Sequence, residues 1–326
     1  MKILVTGGAG FIGSNFIRLI QNKYPHYQII NIDKLTYAGN PENIKDLNIT
    51  NILGEKGDIC NIENLNKIFQ TYIPDAIVNF AAESHVDNSI DNSSEFIKTN
   101  VLGVDNLLKL SLKHNVKKFI QVSTDEVYGS LTLDEPSKKE ADKLKPSSPY
   151  SASKAAAELL ALSYFQTHSL PVIITRGANT YGPYHHPEKL IPKFITNLIQ
   201  GKKVPLMGEG KEIRDWLHVY DHCSAIDTLL HNGKPGEIYN ISPDNEKTNK
   251  EITISLLKAF NFGEEMIQQI EHRKGHDFRY SIESKKLKEL GWELKYNDFD
   301  SALNEVINWY KQNEDWWKPL LKDVKY

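Results

Sequence analysis

The chain has 326 residues, with 39 Lys and Arg against 42 Asp and Glu, for a formal net charge of −3. That length buries a large core, in one big or two moderate domains. The near-balanced charge offers no basic tract to nucleic acid or an anionic membrane, and no long apolar run suggests a membrane span. Residue 3 already lies in a strand pattern, so no signal peptide is expected. Cys60 and Cys223 are far apart and lack metal spacing, so reduced thiols in a soluble cytoplasmic protein are expected.

In chain order, β-type runs alternate with helical patterns. Strand 3-ILVT-6 precedes a helix at about 12–23, and 28-QIINI-32 precedes one at about 61–72. Strand 76-AIVNFA-81 then precedes a helix at about 92–114, and 117-KKFIQV-122 one at about 150–168, before strand 172-VIITR-176. Several runs are apolar almost throughout, as in a parallel sheet covered on both faces. The βαβα order predicts a Rossmann-like, doubly wound α/β sheet. After residue 180 the rhythm loosens, with helical patterns at about 187–200, 221–231, 248–260 and 298–312. These predict a smaller, α-rich lobe of 179–214 and 244–326, beside a sheet domain of 1–178 to which about 215–243 returns. The aromatic 309-WYKQNEDWWKPLL-321 reads as packing of the last helix rather than a ligand box.

The stretch 6-TGGAGFIGS-14 follows the first strand and opens a helix. Gly7, Gly10 and Gly13 have the spacing for a tight turn, close approach to a pyrophosphate and helix–sheet packing. Asp33 stands at the end of the second strand, where a carboxylate accepts from a ribose 2′-hydroxyl and repels a 2′-phosphate, so NAD is expected over NADP. Asp58 fits an adenine-side contact or a helix cap. Farther on, 122-VSTDEVYGS-130 places Thr124, Asp125 and Glu126 at a strand end, and 150-YSASK-154 puts Tyr150 and Lys154 on one side of a helix. An ammonium beside a phenol lowers its pKa, which makes Tyr150 a usable base.

These residues together carry a resemblance to the extended short-chain dehydrogenase/reductase family: TGGAGFIG, Asp33, NFAAESHVD, the hydroxyl after the fifth strand, and Tyr-x-x-x-Lys. VSTDEVYGS, SPYSASKAAAELL, NTYGPYHHPEKLIP and GEGKEIRDWLHVYDH resemble its nucleotide-sugar 4,6-dehydratase branch. The resemblance implies dTDP-glucose as substrate, a bound NAD, and a homodimer packed through helices 92–114 and 150–168. It makes Tyr150 the base at the C4 hydroxyl, Thr124 a partner of that oxygen, Glu126 the base at C5 and Asp125 the acid at C6. Two carboxyls whose surroundings push their pKa values apart supply one acid and one base.

By the same resemblance the cofactor contacts are Gly7, Gly10, Phe11, Ile12, Gly13, Asp33, Lys34, Thr36, Asp58, Ile59, Ala81, Ala82, Thr99, Tyr150 and Lys154. The substrate contacts are Ser84, His85, Thr124, Asn179, Lys189, Leu190, Met207, Arg214, Asn240 and His276, with Arg279 close by. Lys189 also reads as a solvated helix face, and Arg214 as a salt bridge to Asp215. His218 and His222 have i, i+4 spacing but no third ligand, so no metal is expected. Departures from the branch pattern fall at Asn88, Gly177, Thr180, His185, His186, Met207 and Phe278, none of them in the catalytic set. The alternatives are a 4,6-dehydratase of another nucleotide sugar, a 4-epimerase, which has no use for an acid at C6, and a non-catalytic sensor, which has no need of Tyr150, Lys154 or Glu126.

Overall fold

The computed structural model describes residues 1–271 and 276–323. The strands are β1 (Lys2–Thr6), β2 (Gln28–Asp33), β3 (Thr50–Leu53), β4 (Ala76–Asn79), β5 (Lys118–Thr124) and β6 (Val172–Gly177). They continue with β7 (Asn179–Tyr181), β8 (Val204–Met207), β9 (Ile213–His218), β10 (Ile238–Ile241), β11 (Glu246–Thr248) and β12 (Ile267–Ile270). The helices of the first half are α1 (Phe11–Lys23), α2 (Ile62–Tyr72), α3 (Val86–Asp91), α4 (Ser93–Ile97), α5 (Val104–Lys113) and α6 (Pro149–His168). Beyond them lie α7 (Leu190–Ile199), α8 (Val219–Asn232), α9 (Asn249–Ala259), α10 (Lys285–Lys288), α11 (Phe299–Gln312) and α12 (Glu314–Trp317).

Seven strands form one parallel sheet in the order β3-β2-β1-β4-β5-β6-β10. Side chains alternate along each strand, so the apolar runs feed both faces. Ile3, Val5, Val78, Ile120 and Ile173 pack with Phe16, Ile17 and Ile20 of α1 and Ile226 and Leu229 of α8. Leu4, Ile30, Ile77, Phe119 and Ile174 face the other way, against Leu65 and Phe69 of α2, Leu107 of α5 and Ala157 of α6. A third core, around Phe194, Trp216, Leu256, Leu303 and Trp317, joins α7, α9 and α11. Two small sheets accompany it, β11-β9-β7 and β12-β8.

Three details differ from the sequence reading. The expected helix at 92–114 contains a π-helical stretch, Lys98–Gly103, between α4 and α5; such insertions often mark functional sites. The return to the main sheet begins with α8 rather than at 215, because β9 pairs with β7 and β11 in the small sheet. Both edge strands of the main sheet lack a counterpart in the reading: β3, since 50-TNIL-53 is short and polar at its start, and β10.

Candidate active site

The glycine loop builds a cradle. Gly7 has φ +69°, and a Cβ there would lie 2.7 Å from the Ala81 nitrogen. A Cβ on Gly13 would run into the Gly7 carbonyl oxygen. Gly10 caps α1 without any side-chain hydrogen bond, so no side chain of the cap competes for the helix N-terminus. The Asp33 carboxylate accepts from the Ala9 amide at 2.9 Å and the Leu35 amide at 2.8 Å, which ties the end of β2 to the loop. Lys34 pairs with Asp58 at 2.8 Å. From this end a cavity of about 390 Å³ runs across the sheet to Tyr150 and Lys154, and every residue expected to touch the cofactor lines it. The open helix terminus, the missing Cβ atoms and the carboxylate at the strand end fit a dinucleotide.

At the other end of the cavity, β5 stops at Thr124 and the chain turns into a short 3₁₀ helix, Asp125–Tyr128. That turn frees the two acids from the opposite-face geometry of a straight strand. Thr124 Oγ1 accepts from the Glu126 amide at 3.3 Å and donates to Asp125 Oδ1 at 3.2 Å. Asp125 is 2% exposed and its Oδ2 has no hydrogen-bond partner. Burial, with the neighbouring Glu126 charge, pushes its carboxyl up to about 8, against the opposing charge of Arg214. Glu126 is half-buried and lines the cavity.

The Tyr150–Lys154 pair differs from the expectation. Lys154 Nζ donates to the Val122 carbonyl at 2.6 Å, and burial lowers the ammonium to about 8. The Tyr150 phenol is pushed up by burial and by the Glu126 and Asp125 charges, with a hydrogen bond to Thr124 acting the other way. Helical spacing sends both side chains to one side, but the Val122 carbonyl of β5 takes the ammonium, while the Glu126 and Asp125 charges oppose ionisation of the phenol. Behind Lys154, Glu158 is fully buried and pairs with Arg176 at 2.7 Å.

Residues 4–306 match the family model described as GDP-mannose 4,6 dehydratase. The chain belongs to that family. It is 44% identical over 326 residues to the dTDP-glucose 4,6-dehydratase of Streptomyces niveus, covering 98% of this chain and 96% of that protein. It is also similar to the solved dTDP-glucose 4,6-dehydratase of Bacillus anthracis in complex with NAD, with 48% identity, a TM-score of 0.91, and 98% and 99% of the two chains covered. The Streptomyces venezuelae dTDP-glucose 4,6-dehydratase, solved with NAD and dTDP, gives 45% identity and a TM-score of 0.92 over 98% and 100%.

The substrate end of this family member departs most from the sequence reading. Ser84, Asn179, Lys189 and Leu190 line the cavity with Thr124, Asp125, Glu126, Tyr150 and Lys154, whereas His85, Met207, Arg214, Asn240 and His276 do not. Asn240 is fully buried; its side chain accepts from the Tyr128 hydroxyl at 2.9 Å and donates to the Lys138 carbonyl at 3.1 Å, so both ends serve the fold. His85 caps α3 by accepting from the Asn88 amide. Met207 sits in β8 opposite Ile270 of β12. Arg214 forms no pair with Asp215: its guanidinium donates to the carbonyls of Ile213, Asp277 and Phe278 and lies 4.4 Å from the Tyr280 ring centre. Asp215 instead accepts from Ser242 and from the Asn245 amide. His276 lies 3.7 Å from Glu212, and Gly275, which opens 275-GHDFRY-280, is outside the described residues. Arg279 is held by Glu246 at 2.6 Å.

Several residues near the site had no role, or a different one, in the sequence reading. Tyr280 donates to Asp277 and feels the Glu126 charge. Glu188, within the quoted 179–192 stretch, accepts from the Tyr37 hydroxyl at 3.2 Å and lines the cavity. Thr180 and His222 meet in the wall. The reading weighed His222 only as a metal ligand with His218, but His218 stacks on Tyr296 at 3.8 Å and caps α8.

Proposed function

We propose that the chain is an NAD-dependent hydro-lyase that converts dTDP-glucose to dTDP-4-keto-6-deoxyglucose and water. One observation carries this reading: Asp125 is a buried carboxyl with an unpartnered Oδ2, next to Glu126 at the strand end that presents Thr124, and this burial beside a second acid pushes it towards the protonated form. A 4-epimerase needs no acid at C6, so this pairing favours elimination.

In this reading Gly7, Gly10, Gly13 and the first amides of α1 hold the cofactor pyrophosphate, Asp33 the adenosine ribose, and Tyr150 and Lys154 the nicotinamide ribose. NAD, when bound, supplies the acceptor for the C4 hydride and the source of hydride for C6. Tyr150 takes the C4 hydroxyl proton while Thr124 hydrogen-bonds the same oxygen; because burial and the Glu126 and Asp125 charges raise the phenol, this step requires the positive charge that oxidised NAD would bring beside it to lower its pKa. The C4 ketone acidifies the C5 proton, which Glu126 removes. Asp125 gives its proton to the departing C6 hydroxyl, which leaves as water, and Glu126 returns a proton to C5. The raised pKa of Asp125 is the condition for this step, because an ionised carboxylate has no proton to give.

The assembly we propose is a homodimer through α4, α5 and α6. Ile90, Ile97, Leu102 and Leu159 support it, being large apolar side chains 49–60% exposed on those helices and the segments beside them. Among the described residues no helix is long and apolar enough to cross a membrane, and both cysteines are free thiols; a cytoplasmic setting suits those thiols. The deciding experiment is incubation with dTDP-, UDP- and GDP-glucose and their N-acetylhexosamine counterparts. The expected result is a 4-keto-6-deoxy product, fastest from dTDP-glucose, without added stoichiometric NAD. Net reduction of external NAD with no loss of water would refute the reading.

A further inference from the structure

His222 occupies the first turn of α8, is 2% exposed, and forms part of the cavity wall with Gly177, Asn179 and Thr180. Its Nδ1 lies 2.8 Å from Thr180 Oγ1, while its Nε2 has no hydrogen-bond partner. Thr180 Oγ1 is also 3.0 Å from the Ala178 carbonyl oxygen, which can only accept. The hydroxyl has one proton. If it went to His222, two oxygen lone pairs would face each other at Ala178; if it goes to Ala178, both contacts are satisfied and Nδ1 carries the ring proton. Nε2 is then a bare acceptor in the cavity wall. Burial also lowers the imidazole to about 4, so the ring is neutral at working pH. Burying an acceptor without a partner is unfavourable, and that cost disappears if a ligand supplies the donor.

The sheet register says which ligand part arrives there. Gly177 pairs with Thr124, which places the ring beside the catalytic strand end, four strands across from Asp33 of β2. With the adenosine ribose at Asp33 and the pyrophosphate at α1, the nicotinamide end of the dinucleotide falls at β5 and β6. Its carboxamide is the group there with N–H donors to offer. Gly177 makes room for this arrangement, since a Cβ there would lie 2.5 Å from the imidazole Cε1 and 2.9 Å from Nε2. We propose that His222 Nε2 accepts a hydrogen bond from the nicotinamide carboxamide, with Thr180 fixing the tautomer and Gly177 providing the space.

The proposal rests on the NAD reading, and its test separates the two. The full chain, stripped of nucleotide, is titrated with NAD and with 3-acetylpyridine adenine dinucleotide, whose acetyl group has no N–H. Wild type should prefer NAD by roughly two- to tenfold, the range of one hydrogen bond, and His222→Phe should lose that preference. A fold-independent check uses wild type alone: with ¹⁵N-labelled histidine, the His222 Nε2 resonance should move when NAD binds and stay when the acetyl analogue binds. Equal affinities in wild type, or the same shift with both dinucleotides, would overturn this proposal alone. A chain that binds neither dinucleotide would overturn it together with the cofactor reading.

Discussion

Asp125→Asn is expected to make the protein inactive and, at neutral pH, more stable. In the unfolded chain an aspartate ionises near pH 4, whereas in the fold burial and Glu126 push Asp125 up to about 8. The sign follows from proton counts. Below pH 4 both states hold the proton, and the site makes no pH-dependent contribution. Between 4 and 8 the unfolded chain releases it and the folded one does not, so stability is lost as pH rises, by up to 1.4 kcal/mol per pH unit. At pH 7 that is about 4 kcal/mol set against the fold. Asparagine removes the titration but brings two N–H donors into a place where Oδ2 already lacks a partner, a fixed cost of about 1–3 kcal/mol. The net expectation at pH 7 is a gain of roughly 1–3 kcal/mol.

Urea unfolding of both proteins, stripped of nucleotide, at intervals from pH 4 to pH 8 measures this directly. The stability difference should climb with pH in favour of the variant, whatever the constant offset. Parallel stability curves would refute the protonated carboxyl and with it the acid role of Asp125. Activity should move the opposite way. Loss of a positioned general acid costs about 10²–10⁴ in rate, while oxidation at C4, which needs Tyr150 and not Asp125, persists. Reduced nicotinamide should therefore accumulate on adding dTDP-glucose, with no 4-keto-6-deoxy product formed.

Glu126→Gln should likewise keep oxidation at C4 but stop proton exchange at C5; in heavy water the recovered sugar should carry no deuterium at C5, and incorporation at the wild-type rate would move the base elsewhere. Trp316→Phe is expected to weaken NAD binding by roughly two- to tenfold. The indole N–H donates to Asn43 Oδ1 at 2.7 Å, and Asn43 donates to the Ala9 carbonyl at 2.8 Å, so the C-terminal aromatic cluster braces the glycine loop. An unchanged dissociation constant would reduce Trp316 to packing.

The parts of this molecule legible in its sequence are those whose causes lie close together along the chain. Parallel strands buried on both faces read as apolar runs, so β1, β2, β4, β5 and β6 were expected within a few residues; the edge strands β3 and β10 were not, β3 having only Ile52 and Leu53 to signal it. The glycine loop, Asp33, the 124–126 triplet and Tyr150-x-x-x-Lys154 are local patterns, and the sheet gathers them along one cavity. Asn240 shows the opposite case. As an asparagine at a strand end it resembles a substrate contact, but Tyr128, 112 residues earlier, holds its oxygen and Lys138 its nitrogen. Thr180 and His222, 42 residues apart, meet only because β6, β7 and α8 converge. Proton placement is the hardest property to read. Spacing puts Lys154 near Tyr150, yet the Val122 carbonyl decides where the ammonium points. In the same way the identity of Asp125 is plain in the sequence, while its proton depends on burial and on Glu126, Asp215 and Arg214 around it. In the proposed mechanism that proton separates an oxidising site from an eliminating one, so on this reading the tertiary environment of one carboxyl determines which reaction this set of residues can complete.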